Sequence, residues 1–203
     1  MITIIDYGVG NLNSIVNIIK YLGGECRITQ SSHDILNAEK LILPGVGSFD
    51  LGMESLQMME IVDALNIAVL EKQIPILGIC LGMQLMTFKS EEGQLQGLGW
   101  IDAEVKKFLF ENGSTLKTPH MGWNRVEVKK KNPVISISDI DLRFYFVHSY
   151  YVHLNDNNLA LAQTHYGIDF CSAFQKDNIF GVQFHPEKSH RHGMNLVKSF
   201  INI

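Results

Sequence analysis

Cysteine is scarce in this sequence: Cys26, Cys80 and Cys171 are the three among 203 residues. Wide spacing and an odd number argue against a disulfide framework, suit a reducing compartment and leave at least one thiol free. Basic charge is not in excess either. A formal net charge of −4 and a pI near 6.0 lack the positive bias that phosphate backbones and anionic membranes select, so neither nucleic acid nor a membrane is expected as a partner. Long apolar runs are missing as well, since residues 74–82 are apolar but fall far short of the roughly 20 that span a bilayer. The opening Met1-Ile2-Thr3-Ile4-Ile5-Asp6 lacks the basic region that starts a signal peptide. A cytoplasmic protein is the expectation. Repeats, linkers and low-complexity stretches are also wanting, so residues 1–203 are expected to form one domain, for which 46% hydrophobic content is ample.

What is present is alternation. Residues 2–6 read as a strand, 13–22 as a helix and 26–29 as a strand. The strand Leu41-Ile42-Leu43 follows, then an amphipathic stretch through about Lys72, a buried-strand run over 75–79 and a helix from Leu81. This order predicts an α/β fold with an open, mostly parallel sheet flanked by helices. From about Ala103 the runs become short and β-rich, at 126–128, 144–147, 160–164, 171–175 and 179–184, with Lys176-Asp177-Asn178 as a hairpin turn. Antiparallel strands are therefore expected to be added in the C-terminal half. A helix over about 194–201 closes the chain, and Lys129-Lys130-Lys131 before Asn132-Pro133 reads as a solvated turn.

The strongest local signal is Gly78-Ile79-Cys80-Leu81-Gly82, between an apolar strand and a helical segment. It has the form of a nucleophile elbow, where small flanking residues permit a sharp strand-to-helix turn. A thiol there stands at the carboxyl edge of the sheet and at a helix N-terminus, whose dipole favours thiolate. Cys26 and Cys171 have no such flanks and read as small buried hydrophobes.

A thiol nucleophile needs an imidazole, and the imidazole needs a group to orient it. Eight histidines compete. Gly181-Val182-Gln183-Phe184-His185-Pro186-Glu187 singles out His185, because an apolar strand ends there and Pro186 stops the ladder. In extended backbone His185 and Glu187, two apart, project on the same side. His190 and His192 have no cysteine or carboxylate cluster beside them and read as exposed residues at the start of the last helix, so no metal is expected. The oxyanion formed by attack on a carboxamide needs backbone donors. One is the N–H of Leu81, and the other is expected from Val46 or Gly47 in the loop Pro44-Gly45-Val46-Gly47-Ser48-Phe49. The same loop imitates part of a dinucleotide fingerprint, but the third glycine is displaced and Pro44 fits poorly, so no cofactor is expected.

Leu43-Pro44-Gly45-Val46-Gly47, Gly78-Ile79-Cys80-Leu81-Gly82-Met83-Gln84 and the block ending in His185-Pro186-Glu187 resemble, in order, the three functional blocks of the class I (triad-type) glutamine amidotransferases. The resemblance spans nearly the whole chain. It implies a glutaminase that releases ammonia from L-glutamine with Cys80, His185 and Glu187. Three further segments, Ile5-Asp6-Tyr7-Gly8-Val9-Gly10-Asn11-Leu12, Pro119-His120-Met121-Gly122-Trp123-Asn124 and Tyr145-Phe146-Val147-His148-Ser149-Tyr150, resemble the branch that forms the glutaminase subunit of imidazole glycerol phosphate synthase. By that resemblance Gln84, Ser149 and Tyr150 hold the glutamine's α-amino and carboxylate groups. Met121, Trp123, Tyr145 and Lys188 face a (β/α)₈-barrel cyclase subunit, which uses the ammonia in making imidazole glycerol phosphate and AICAR for histidine biosynthesis. One segment departs: His190-Arg191-His192 replaces the small residue usual after Ser189, and resembles a paralogous branch feeding amidination of surface-polysaccharide sugars.

Two other readings compete. A protease-like thiol hydrolase explains Cys80 and His185 but not Gln84 or the segment from Met121 to Asn124. A catalytically silent, partner-binding regulatory module predicts erosion of nucleophile, base or orienter, and all three residue types are present.

Overall fold

Four short runs lie side by side as parallel strands, three of them mainly aliphatic: β1 (Ile2–Ile5), β2 (Cys26–Thr29), β3 (Lys40–Leu43) and β4 (Ile76–Ile79). The computed structural model that places them describes residues 1–110, 115–136 and 141–203. Their spatial order is 2-1-3-4, so the winding reverses between β1 and β3. The connections run through α1 (Leu12–Tyr21), α2 (Ser32–Leu36), and then α3 (Phe49–Met58) and α4 (Val62–Asn66). Successive strand side chains point to opposite faces. Ile5, Leu41, Leu43 and Ile76 therefore join Phe49, Met53 and Leu56 of α3, while Ile4, Ile42, Leu77 and Ile79 join Ile15 and Ile19 of α1. Each such buried aliphatic side chain contributes about 1.5–3 kcal/mol.

The second half adds α5 (Leu81–Leu85), β5 (Lys89–Ser90), β6 (Ala103–Lys107), β7 (His120–Arg125), β8 (Glu127–Val128), β9 (Arg143–His148) and β10 (Tyr150–Leu154). It ends with β11 (Ala160–Tyr166), β12 (Ile168–Lys176), β13 (Ile179–Val182) and α6 (His190–Ile201). β13 lies parallel to β4, with Gly181 opposite Gly78 and Val182 opposite Ile79. The antiparallel strands β12, β10 and β6 extend the sheet from there, and β7 pairs with β9 as a separate ribbon. This is the expected mixed sheet: a parallel half flanked by helices, then added antiparallel strands. None of the described helices is long and apolar enough to cross a membrane.

Local expectations need correction. The amphipathic stretch to Lys72 divides in two: α3 ends at Met58, Glu60 at φ +54 lies outside right-handed helical space, and α4 passes into a π-helical turn at Ile67–Glu71. The helix from Leu81 stops at Leu85, where Thr87 donates both its amide and its hydroxyl to the Gln84 carbonyl. The last helix starts at His190 rather than about Met194. Strands β5, β6, β7 and β10 were not expected, because their polar residues leave no continuous apolar run. Cys26 is half-buried rather than buried, because β2 is the edge strand.

Candidate active site

With β13 beside β4, and β3 and β1 beyond it, the carboxyl ends of four parallel strands meet along one edge. Open α/β sheets gather ligand-binding groups at such an edge. The loops leaving it carry Tyr7, the segment from Pro44, Cys80, and the segment from Gln183 to His185.

Cys80 follows β4 at φ +54 and ψ −109, a conformation that strains any residue with a side chain. Close packing enforces it. A Cβ on Gly82 would lie 1.8 Å from the Leu43 carbonyl oxygen, and one on Gly78 would lie 2.8 Å from the Met83 nitrogen. Only glycine fits on either side, which sets Cys80 at the tip of the turn and at the start of α5. Its amide donates to the Val182 carbonyl at 2.8 Å, tying the turn to β13.

His185 and Glu187 come together, though not through extended backbone. Pro186–Lys188 is a 3-10 turn, and it brings His185 Nδ1 to 2.8 Å from Glu187 Oε1. The two side chains are only 1% and 4% exposed. Ser189 holds this turn by donating its hydroxyl to the His185 carbonyl at 2.6 Å and accepting the Tyr145 amide at 3.0 Å. Gly193 of α6 presses against it, since a Cβ there would sit 1.8 Å from the Pro186 oxygen. With Nδ1 committed to Glu187, the buried Nε2 is the ring nitrogen left without a hydrogen-bond partner and available to the Cys80 thiol. Burial pulls the ring towards neutrality, but Cys80 and Glu187 outweigh it and raise its pKa above the ordinary 6.5.

Beside the thiol opens a cleft of about 320 Å³ lined by Val46, Gly47, Leu81, Gln84, Ser149 and Tyr150, with Glu92 on its wall. Gly47 takes φ +114, open to glycine but not to β-branched residues. The loop is pinned from below: the buried Tyr7 hydroxyl donates to the Pro44 carbonyl, and a Cβ on Gly45 would meet Tyr7 and Leu81. Burial, aided by Cys80, raises the Tyr7 pKa and keeps it a donor. Gln84 donates to the Tyr150 carbonyl at 3.1 Å and to Gln183 Oε1 at 3.0 Å, while Gln183 Nε2 lies 3.7 Å from Cys80 Sγ. The described residues contain no group of three or more His, Cys, Asp or Glu able to hold a metal ion.

Around the corner the β7–β9 ribbon exposes Met121 and Trp123, at 61% and 46%. Trp123 stands opposite Tyr145, and the Lys188 ammonium lies 5.7 Å over the Tyr145 ring. His190 stacks flat on Trp123 at 5.3 Å. It is exposed as expected, whereas His192 is half-buried beside Phe144.

The family description "Glutamine amidotransferase class-I" matches residues 3–203. The chain belongs to this family. Among relatives of this amidotransferase, imidazole glycerol phosphate synthase subunit HisH 2 of Pseudomonas aeruginosa is 47% identical over 203 residues, covering 100% of both chains. Subunit HisH 2 of Methanococcus maripaludis is 52% identical over 201 residues, covering 99% of this chain and 98% of the relative. A crystal structure described as a glutamine amidotransferase has the same fold, with a TM-score of 0.75 at 18% identity over 98% of this chain and 97% of that one.

The sequence reading gave no role to Gln183, Glu92, Tyr7, Ser189 or Gly193. Gln183 had a signal, being a polar residue inside an apolar strand run, and it is fully buried. Glu92 had none, because an acidic residue in a loop is ordinarily solvated.

Proposed function

We propose that this amidotransferase is the glutaminase subunit of imidazole glycerol phosphate synthase, hydrolysing L-glutamine to glutamate and ammonia with Cys80, His185 and Glu187. The observation that carries the reading is a strained thiol at the start of a helix and a buried imidazole–carboxylate pair on one sheet edge, beside a cleft with room for glutamine. The Cys80 thiolate attacks the carboxamide carbon, and the N–H groups of Leu81 and of Val46 or Gly47 meet the oxyanion. His185 passes its proton to the departing nitrogen, which leaves as ammonia and a thioester remains. His185, now neutral, takes a proton from water as it attacks the thioester, and glutamate departs from the regenerated thiolate. Glu187 orients the ring and stabilises its charged form.

Both amide protons of Gln84 point inward, so it offers the cleft its carbonyl oxygen, an acceptor suited to the α-ammonium group. Glu92 supplies a second acceptor, and Ser149 and Tyr150 line the place for the α-carboxylate. Met121, Trp123, Tyr145 and Lys188 form the face for a (β/α)₈-barrel cyclase that receives the ammonia. The names of the relatives favour this acceptor over a surface-polysaccharide sugar. The test is glutamate release from glutamine with and without a cyclase partner, together with formation of imidazole glycerol phosphate. Glutamine left intact in the presence of the partner refutes the reading.

A further inference from the structure

Along the wall of the cleft, to which His148 contributes, β7 and β9 place two largely buried histidines opposite each other. His120 Nδ1 lies 3.0 Å from His148 Nε2, and His148 Nδ1 lies 2.7 Å from the Tyr150 carbonyl. Asn124 Nδ2 lies 3.1 Å from His120 Nε2. The two ends of this row fix every proton in it. The Tyr150 carbonyl can only accept, so His148 carries its proton on Nδ1 and its Nε2 is a lone pair. His120 must then donate from Nδ1, which leaves Nε2 to accept from Asn124. The Asn124 amide is oriented independently, because its oxygen accepts the Arg125 amide at 2.7 Å and its nitrogen donates to the His165 carbonyl at 3.0 Å. Only one direction is consistent: Asn124 to His120 to His148 to Tyr150.

The row ends where substrate recognition begins. The Tyr150 carbonyl also accepts from Gln84, which reaches Gln183 and through it the Cys80 sulfur. The row starts on the partner-facing strand. Alternation along β7 turns His120 and Asn124 inward and Met121 and Trp123 outward, so Asn124 is the immediate neighbour of the exposed indole. Rings of Phe146, Tyr166 and Phe170 pack around the imidazoles, 4.0 Å from Tyr166 to His120 and 5.3 Å from Phe170 to His148, and hold the two rings in place. Two buried histidines are a costly way to fill a core that apolar residues could fill.

We propose that Asn124, His120 and His148 are positioning residues for glutamine: a one-way hydrogen-bond chain that sets the Tyr150 carbonyl, and through it Gln84, from the exposed ribbon. The assignment rests on the glutaminase reading.

Two measurements test it on the protein supplied with its cyclase partner. Nitrogen-15 NMR of the wild-type imidazoles at neutral pH reads the chain directly. Both rings are expected as neutral Nδ1–H tautomers, and an Nε2–H tautomer or an imidazolium at either position overturns the proposal. Kinetics read the positioning. His148→Phe keeps a ring but removes both links, and is expected to raise the KM for glutamine about five- to tenfold with kcat within about twofold. His148→Gln, whose amide can both donate and accept, is expected to recover most of that loss, and Asn124→Leu to move KM the same way by less. Unchanged KM in a folded His148→Phe protein, or no recovery with glutamine at this position, leaves the pair a packing feature and refutes the positioning role. Should His148→Phe fail to fold, the tautomer measurement decides. Failure of the wild-type protein to turn over glutamine removes the underlying reading, whereas wild-type turnover with KM insensitive to the chain removes only this inference.

Discussion

Mild acid is expected to destabilise this protein through His120 and His148. Burial lowers the His120 pKa from 6.5 to about 4. Burial is also the main cause at His148, opposed by its bond to Tyr150 and reinforced by His120 and His185, and brings its pKa to about 3. The unfolded chain, with ordinary values near 6.5, binds protons over a range where the folded protein refuses them, so stability falls as pH drops below about 6.5. At about pH 5 each ring is about 1.5 units below its unfolded value and still neutral when folded, which costs about 2 kcal/mol per ring and about 4 kcal/mol together. That is a large part of the 5–15 kcal/mol typical of a domain. Two groups act the other way, since burial raises the Glu92 pKa and its penalty is relieved as pH falls, as does His185; the double variant separates the histidine pair from both. The raised pKa of His185 adds stability that is fully present below about 6.5 and is lost only as pH rises through its folded value. The lowered carboxylates of Asp34, Glu39, Glu104 and Asp141 contribute stability lost only near and below their own ordinary range. The assay is urea denaturation at about pH 7 and about pH 5, for wild type and for His120→Gln/His148→Gln. A fall of about 4 kcal/mol in wild type and little in the double variant is expected. Equal acid sensitivity in the two proteins refutes the argument.

Cys80→Ala is expected to abolish glutamine hydrolysis while leaving partner binding and ammonium-driven synthesis intact, checked by glutamate release and by product formation with ammonium chloride. His185→Ala should lose nearly as much kcat as loss of the thiol, because His148, the other histidine lining the cleft, has both ring nitrogens committed. Glu187→Gln should lower kcat less than that, by up to about 10⁴. Gly193→Ala is expected to lower kcat without removing the fold, since the added carbon displaces the Pro186–Lys188 turn that joins His185 to Glu187; a crystal structure with the 2.8 Å contact intact would contradict this. Gly47→Val, forced from φ +114, should blunt stimulation of glutaminase activity by the partner more than it weakens association, read by turnover and by titration calorimetry.

What the sequence disclosed and what it hid divide along physical lines. The inner strands of the parallel half were legible because helices cover them on both sides, so β1, β3 and β4 are written as mainly aliphatic, buried runs between glycine- and proline-bearing loops. The glycines around Cys80 were legible for a related reason: a strand that turns at once into a helix leaves no room for side chains, and the 1.8 Å clearance at Gly82 is the cause of the pattern. The antiparallel half was harder. His-Met-Gly-Trp-Asn-Arg of β7 turns two polar residues inward, His120 buried and Asn124 half-buried, and exposes two large apolar ones, which inverts the usual alternation and reads as no strand at all. That inversion itself carried information. A strand whose apolar face is left bare has another surface to meet, and a strand whose inner face holds histidine and asparagine must find partners for them, because unpaired polar groups in a core are too costly. The partner for one face was suggested by resemblance to a family. The partner for the other face was encoded only in three dimensions, by the register that sets His120 opposite His148.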